Sequence, residues 1–287
     1  AKAVAEGKVA GAAVDVFTKE PPVGNPLLES DRIITTPHLG ASTAEAQVNV
    51  ALAVADQILM VAKGGLPSNA INMPAISPET LAVMEPYMKL AEKMGAFAGQ
   101  LVGGGFGTLE LIYGGTVAEK DIRPVTISAI KGLLGCLMGE GSVNFVNAQG
   151  MLKEMGVKLL ESRTESANGY SNAITLRLSK NGELTTIQGT VSGSREKRIV
   201  QLNDYRTYIP SEGNMVVAVI EDRPNIIGPC CVVLGEGGIN IGAMHVGRIA
   251  EGRPQLMVLS VDQRVSEEIM KRLRAVRGVL SAKMVEL

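Results

Sequence analysis

The sequence predicts mixed α/β and α+β architecture: the end of a doubly wound sheet, then an α+β module, then a ferredoxin-like βαββαβ unit. Three observations carry this. Residues 10–16, AGAAVDV, form a small-residue apolar run without alternation, as in a strand buried on both faces of a parallel sheet. AITLRLS and ELTTIQGTV flank Lys180-Asn181-Gly182, a hairpin signal. Residues 213–287 alternate strand and helix patterns in the order βαββαβ. At 287 residues, the length suits about two domains, or three small ones.

In chain order, AKAVAEGKVAG reads as the last part of a helix, so the chain is expected to begin inside a domain. A loop with Pro21, Pro22 and Pro26 follows the AGAAVDV strand, and Ile33 to Thr36 is a second short strand. Ser42 and Glu45 are spaced as a capping box for a helix with Val48, Ala51, Leu52 and Ala55 on one face. Gly64-Gly65 and Pro67 end it, and residues 67–77 are the linker candidate after a first domain over 1–66.

In the second domain, 78–212, Pro86 opens a helix with Leu90, Met94, Phe97 and Leu101 on one face. The run Gly103-Gly104-Gly105-Phe106-Gly107 lacks the Lys-Ser/Thr of a phosphate loop and precedes TLELIY, so it reads as a helix-to-strand turn. Helical stretches follow Pro124 and span about 146–155. A further strand pair is expected near 198–209. The third domain, 213–287, has strands NMVVAVI, INIGAMHVGR and PQLMVLSVD, and helices IIGPCCVVLGE and SEEIMKRLRAVRG. Ile269, Leu273 and Val276 share the core face of the last helix, and a final strand closes the chain.

Composition narrows the function classes. A net charge of -1 points to neither nucleic acid nor an anionic membrane surface. With 3% aromatics and no Trp, base-stacking platforms are not expected. The apolar stretches are broken by Gly, Lys or Asp short of the roughly 20 residues that span a bilayer. Cys136, Cys230 and Cys231 have neither even pairing nor metal-ligand spacing, so no metal is expected and a reducing, cytoplasmic setting is.

His38 is one of two histidines and lies in Thr36-Pro37-His38-Leu39-Gly40-Ala41-Ser42, where a strand meets a helix. Glu20 is a loop away. An imidazole at a strand end with a carboxylate in reach is a general base whose proton affinity that carboxylate can raise. A helix-capping loop that happens to contain His has the same spacing.

The words AGAAVDVFTKEPP and IITTPHLGASTAEAQ resemble the end of the nucleotide-binding (Rossmann) domain of the D-2-hydroxyacid dehydrogenases. EDRPNIIGPCCVVLGEGGINIGAMHVGR is similar to an ACT domain, a small-molecule sensor of amino-acid metabolism. GTVSGSREKRIVQLNDYRTYIPSEG resembles the intervening allosteric substrate-binding domain of that family's long-form, phosphoglycerate-oxidising branch. This resemblance implies NAD-dependent oxidation of D-3-phosphoglycerate to 3-phosphohydroxypyruvate, the first step of L-serine biosynthesis, by a cytoplasmic homodimer or homotetramer.

Carried over by residue, His38 matches the family's catalytic histidine, Glu20 its carboxylate partner, and Asp15 the aspartate at the nicotinamide end of NAD. Leu39, Gly40 and Ala41 fall where backbone passes the nicotinamide. Asp222 and Asn240 match the L-serine effector contacts of regulated relatives, although Asn225 stands where those relatives have glycine. Arg198 and Arg206 fall at positions that are basic in relatives and meet phosphate or carboxylate; a solvated strand edge accounts for them equally. His245 reads as structural. The family's G-x-G-x-x-G and its substrate arginine have no counterpart here, so the chain is expected to be a truncated C-terminal portion, inactive alone. Two other readings stand: an amino-acid-sensing regulatory module such as that of an L-serine dehydratase, and a dehydrogenase of another 2-hydroxy acid.

Overall fold

The structure is a computed structural model that describes residues 1–62, 70–71, 78–139, 141–193 and 195–287. It divides into two compact units, Ala1–Asn69 and Ala70–Leu287. The linker expected over 67–77 and the Gly64-Gly65-Pro67 stop lie outside the described residues, save Ala70 and Ile71.

In the first unit, a short helix α1 (Lys2–Ala5) precedes β1 (Ala12–Val14), β2 (Ile33–Thr35) and α2 (Ala44–Ala62). The two strands pair in parallel, Ala12 with Ile33 and Val14 with Thr35. The expected two-sided burial of β1 is not found: Ala12 and Ala13 are exposed in a sheet of two strands, of which only Ile33 in β2 is buried. The expected Ser42 cap is also corrected. Helix α2 starts at Ala44, so Thr43 holds the capping position and its hydroxyl accepts from the Ala46 amide at 3.1 Å. Val48, Ala51, Leu52 and Ala55 do share a face, yet none is buried.

Helix α2 is the longest apolar helix of the first unit, and Asp56 breaks its apolar run as expected. Its 19 residues are long and apolar enough to cross a membrane by length and composition, and none of them is buried. Asp56 lies within it; an aspartate costs about 2.5–3.5 kcal/mol at the centre of a hydrocarbon layer.

The second unit opens with α3 (Pro78–Val102), which starts eight residues earlier than Pro86 and carries that proline inside it. Gly103 and Gly105, at φ of +70° and +87°, turn the chain into β3 (Thr108–Gly115) as expected. Then come α4 (Arg123–Met138), α5 (Ala148–Glu154), β4 (Lys158–Thr164), β5 (Asn172–Lys180), β6 (Glu183–Val191), β7 (Lys197–Leu202) and β8 (Tyr205–Pro210). The Asn181-Gly182 turn has φ of +53° and +85°, both positive as a two-residue hairpin requires. The six-stranded sheet runs β4-β3-β5-β6-β7-β8, and only β3 and β4 are parallel.

One face of this sheet is apolar. Leu111, Tyr113, Leu176 and Ile187 are fully buried, as are Leu90, Met94 and Phe97 of α3. Helices α3 and α4 touch through glycines: a Cβ on Gly132 would stand 1.9 Å from the Glu92 carbonyl oxygen, and one on Gly95 2.1 Å from that of Ala129. Such contact requires the missing side chain.

The remainder is β9 (Asn214–Ile220), α6 (Ile227–Glu236), β10 (Ile241–Gly247), β11 (Gln255–Val261), α7 (Glu267–Arg274) and β12 (Val279–Glu286). The strands form an antiparallel sheet in the order β10-β11-β9-β12. Cys230, Leu234, Met270 and Leu273 of the helices join Val216, Ala218, Met257 and Leu259 of the strands in one core. This sheet and the six-stranded one belong to the same compact unit. The Gln100 side chain donates to the Glu286 carbonyl at 2.8 Å and accepts from its amide at 2.9 Å. The Tyr205 hydroxyl donates to the Pro254 carbonyl at 2.8 Å.

Candidate active site

Parallel pairing of β1 and β2 brings two loops together at the carboxyl ends of the strands, where open α/β sheets place their ligands. Asp15 follows β1, and Thr36 follows β2. The Asp15 carboxylate gathers the second loop onto the first. Its Oδ1 accepts from the Thr36 hydroxyl and from the Leu39 amide at 2.7 Å, and its Oδ2 accepts from the Gly40 amide at 2.9 Å. The Thr36 hydrogen bond and then the Leu39 amide hold the Asp15 carboxyl below its ordinary range.

This clamp places His38. Its amide donates to the Asp15 carbonyl at 2.9 Å and the Thr36 carbonyl at 3.0 Å, and its backbone adopts φ of +57°. Few non-glycine residues take that conformation, and it is a feature of strained functional loops. The ring then meets Glu20: Nδ1 lies 2.9 Å from Oε2. Glu20 is itself fixed, its Oε1 accepting from the Phe17 amide at 3.1 Å. The hydrogen bond to Glu20, and then its charge, raise the His38 pKa above 6.5; the same bond lowers that of Glu20. With Glu20 ionised, Nδ1 carries the proton and the Nε2 lone pair is left to accept another.

Asp15, Glu20, His38, Leu39 and Gly40 are therefore brought together. Their detail differs from expectation. The Leu39 and Gly40 amides are committed to Asp15, and the Ala41 carbonyl accepts from the Gln47 side chain. Thr36 was missed by sequence reasoning, although a hydroxyl directly after the second strand was the available signal.

The residues fit the nicotinamide end of NAD and no more of it. A carboxylate offers about four acceptor positions. Three on Asp15 are taken, which leaves one for an amide donor. No glycine-rich phosphate loop is among the 287 residues.

The other predicted positions are not assembled. Asp222 accepts from Arg248 Nε at 2.9 Å, from the Gly252 amide at 2.9 Å and from Gln255. The Gly252 bond and then Arg248 lower its pKa. Asn240 donates to Asp262 Oδ2 at 2.7 Å. Register places the two at opposite ends of one sheet: Asp222 follows Ile220, which pairs with Gln255, while Asn240 precedes Ile241, which pairs with Val261. Asn225 takes φ of +63°, the conformation a glycine there would supply. Arg198 stacks on Tyr208 at 3.5 Å, pairs with Glu196 and lines a cavity of about 520 Å³ with His245. Arg206 lines a different cavity of about 210 Å³. His245 Nε2 reaches the Arg206 carbonyl at 3.5 Å, a structural contact.

Residues 1–40 match the model of the D-isomer specific 2-hydroxyacid dehydrogenase NAD binding domain, and residues 83–203 that of the D-3-phosphoglycerate dehydrogenase intervening domain. Among curated proteins, the chain is 37% identical over 289 residues to D-3-phosphoglycerate dehydrogenase of Archaeoglobus fulgidus and 37% over 286 to that of Methanocaldococcus jannaschii. It is 36% identical over 286 residues to that of Bacillus subtilis. Each alignment covers 100% of this chain and 54% of the relative, so the chain spans about half the length of the curated relatives it matches. Two domain models matched in chain order, with alignments running through all of the chain, make it similar along its whole length to D-3-phosphoglycerate dehydrogenases.

Proposed function

We propose that these residues serve an NAD-dependent oxidoreductase that converts D-3-phosphoglycerate to 3-phosphohydroxypyruvate, the entry step of L-serine biosynthesis. One observation carries the reading: a His38–Glu20 pair on a loop clamped by Asp15, inside the segment that matches an NAD binding domain. Oxidation of a 2-hydroxy acid removes the hydroxyl proton and transfers the hydrogen on the same carbon as hydride, leaving a carbonyl. NAD supplies the hydride acceptor when bound. His38 Nε2 takes the hydroxyl proton, because Nδ1 is held by Glu20. Glu20 fixes the ring and offsets the positive charge that it gains.

The same reading gives residues 213–287 the role of an ACT unit, supported by their βαββαβ order and sheet order. L-Serine is its proposed effector, with Asp222 and Asn240 as contacts. Because one chain holds them at opposite sheet ends, the site is shared between two copies in a homodimer or homotetramer. Arg198 and Arg206 are proposed anion contacts in two separate places. The reading includes a cytoplasmic location, supported by free thiols at Cys136, Cys230 and Cys231. Asp56 in the middle of α2 supports a surface helix over a membrane span.

The test is turnover of D-3-phosphoglycerate with NAD in the natural protein, followed by NADH absorbance. His38→Ala should lower kcat by roughly 10²–10⁴, the usual worth of a general base. Near-native turnover would remove His38 from the chemistry.

A further inference from the structure

Both edges of the four-stranded sheet meet the six-stranded half of the unit. In the order β10-β11-β9-β12 those edges are β10 and β12. At the β12 edge, Leu287 and Gly213 exchange both backbone hydrogen bonds, and Glu286 stands opposite Asn214. In such a ladder Glu286 points its N–H and C=O away from β9. The Gln100 carboxamide takes both groups: it donates to that carbonyl at 2.8 Å and accepts from that amide at 2.9 Å. One carboxamide both donates and accepts, as a residue of a neighbouring strand would. Gln100 therefore closes the sheet at a point that is otherwise an open pairing edge.

The same turn of α3 makes a second bond to β12. The last carbonyls of an α-helix lack partners inside it, and cations are favoured there. The Leu101 carbonyl accepts from Lys283 of β12, and the Val102 carbonyl accepts at 3.0 Å from Lys180 of β5. One helix end is thus capped from both sheets. The body of α3 is seated on the six-stranded sheet: a Cβ on Gly189 of β6 would stand 2.6 Å from Met94 Sδ. The β10 edge is built differently. There the backbones are close, since a Cβ on Gly247 would stand 3.0 Å from the Arg206 carbonyl oxygen of β8. The Tyr205 hydroxyl holds the Pro254 carbonyl beside it. A cavity of about 520 Å³, lined by Lys197 and Tyr208 on one side and Ala243 and Val258 on the other, lies between the sheets. Residues 211–213 connect them, and Gly213 has φ of +98°.

We propose that Gln100 and Lys283 form a latch between the two sheets. Closed, it fixes the four-stranded sheet to the end of α3 and passes a shift of either sheet to the other. Open, it lets that sheet turn on its β8–β10 contact, with Gly213 absorbing the rotation. Lys283 and Glu286 are exposed, so water replaces their hydrogen bonds at small net cost and the β12 edge is the one that releases. The close backbone approach at Gly247 makes the β10 edge the pivot. A continuously packed seam would resist the turn, and the cavity removes much of that resistance. The latch rests on neither the catalytic reading of His38 nor the effector reading of Asp222, so its test uses neither turnover nor a ligand.

Align the full chain weakly in a gel and measure amide residual dipolar couplings by nuclear magnetic resonance. In the native sequence one alignment tensor should fit the amides of β5 and β6 together with those of β9 and β11. In Gln100→Leu combined with Lys283→Met, each sheet should still fit by itself, while no common tensor fits both. Exchange of the Glu286 amide should quicken about tenfold, the usual worth of one hydrogen bond. Tyr205→Phe, which leaves the latch in place, should keep the common tensor. If circular dichroism shows the double variant unfolded, Gln100→Leu alone replaces it with the same expectation. One tensor for both sheets in the folded variant overturns the proposal, because other contacts then hold them together. So does a native chain that already needs two tensors, or unchanged exchange at Glu286. Separation of the sheets by Tyr205→Phe and not by the latch variant overturns it as well.

Discussion

His38 Nδ1 lies 2.9 Å from Glu20 Oε2, and the other oxygen of that carboxylate is held by the Phe17 amide. Two loops are thus joined through one carboxylate, which fixes the ring nitrogen that carries the proton and frees the other. Glu20 has its pKa lowered and His38 raised by this same bond, so both are charged between those two values. The His38 share of the stabilisation is full below pH 6.5 and is lost as pH rises through its raised pKa. The Glu20 share is present above pH 4.5 and is lost as pH falls through its lowered one.

The pH–rate profile should follow. A general base works when neutral, so kcat/KM in the natural protein should climb with pH through the His38 pKa, above 6.5. Glu20→Gln removes the charge that favours the imidazolium. The rising limb should then move to lower pH, and the plateau should fall by less than for His38→Ala.

Asp15 is expected to act through Leu39 and Gly40. Asp15→Asn replaces one acceptor oxygen with a donor, which cannot serve both amides and the Thr36 hydroxyl. Hydrogen exchange at the Leu39 and Gly40 amides should quicken, while protection of β3 and β5 stays unchanged. Equal protection of both amides in the variant would show that the loop holds without this carboxylate.

Two glycine substitutions should have opposite signs. Gly132→Ala drives a methyl group against the Glu92 carbonyl oxygen and should cost about 1–3 kcal/mol or more in urea unfolding. A Cβ at Gly150, inside α5, meets nothing within 4 Å. Gly150→Ala should stabilise by about 0.4–1 kcal/mol.

Serine binding tests the regulatory role proposed for residues 213–287. Calorimetric titration of the full chain should give saturable heat with L-serine, none with glycine, and loss on Asn240→Ala. Since Asp222 already holds Arg248, Gly252 and Gln255, Arg248→Ala should change serine affinity by freeing that carboxylate. A folded dimer that binds no serine would give this unit another role.

Much of this was legible in the sequence, for reasons that vary by residue. Asn181-Gly182 announced its hairpin because few other pairs take two positive φ angles cheaply. His38 and Glu20 were found as a chemical pair, but the clamp that seats them was not. Thr36 and the amides on Asp15 depend on parallel pairing of β1 with β2, which periodicity does not reveal. Strand β4 was missed because Lys158–Thr164 lies at the sheet edge and is almost wholly exposed, so it carries no alternation. Pro86 was read as a helix start, though the helix runs through it. The Gln100–Glu286 contact was invisible, since it joins residues 186 positions apart.

The most direct test is a nuclear magnetic resonance pH titration of the two imidazoles, His38 and His245, in the intact chain. The His38 resonance should titrate above 6.5, and in Glu20→Gln its pKa should fall toward that value. If His38 titrates at or below 6.5, or keeps its pKa without Glu20, the carboxylate does not tune the ring and the proposed base loses its physical support.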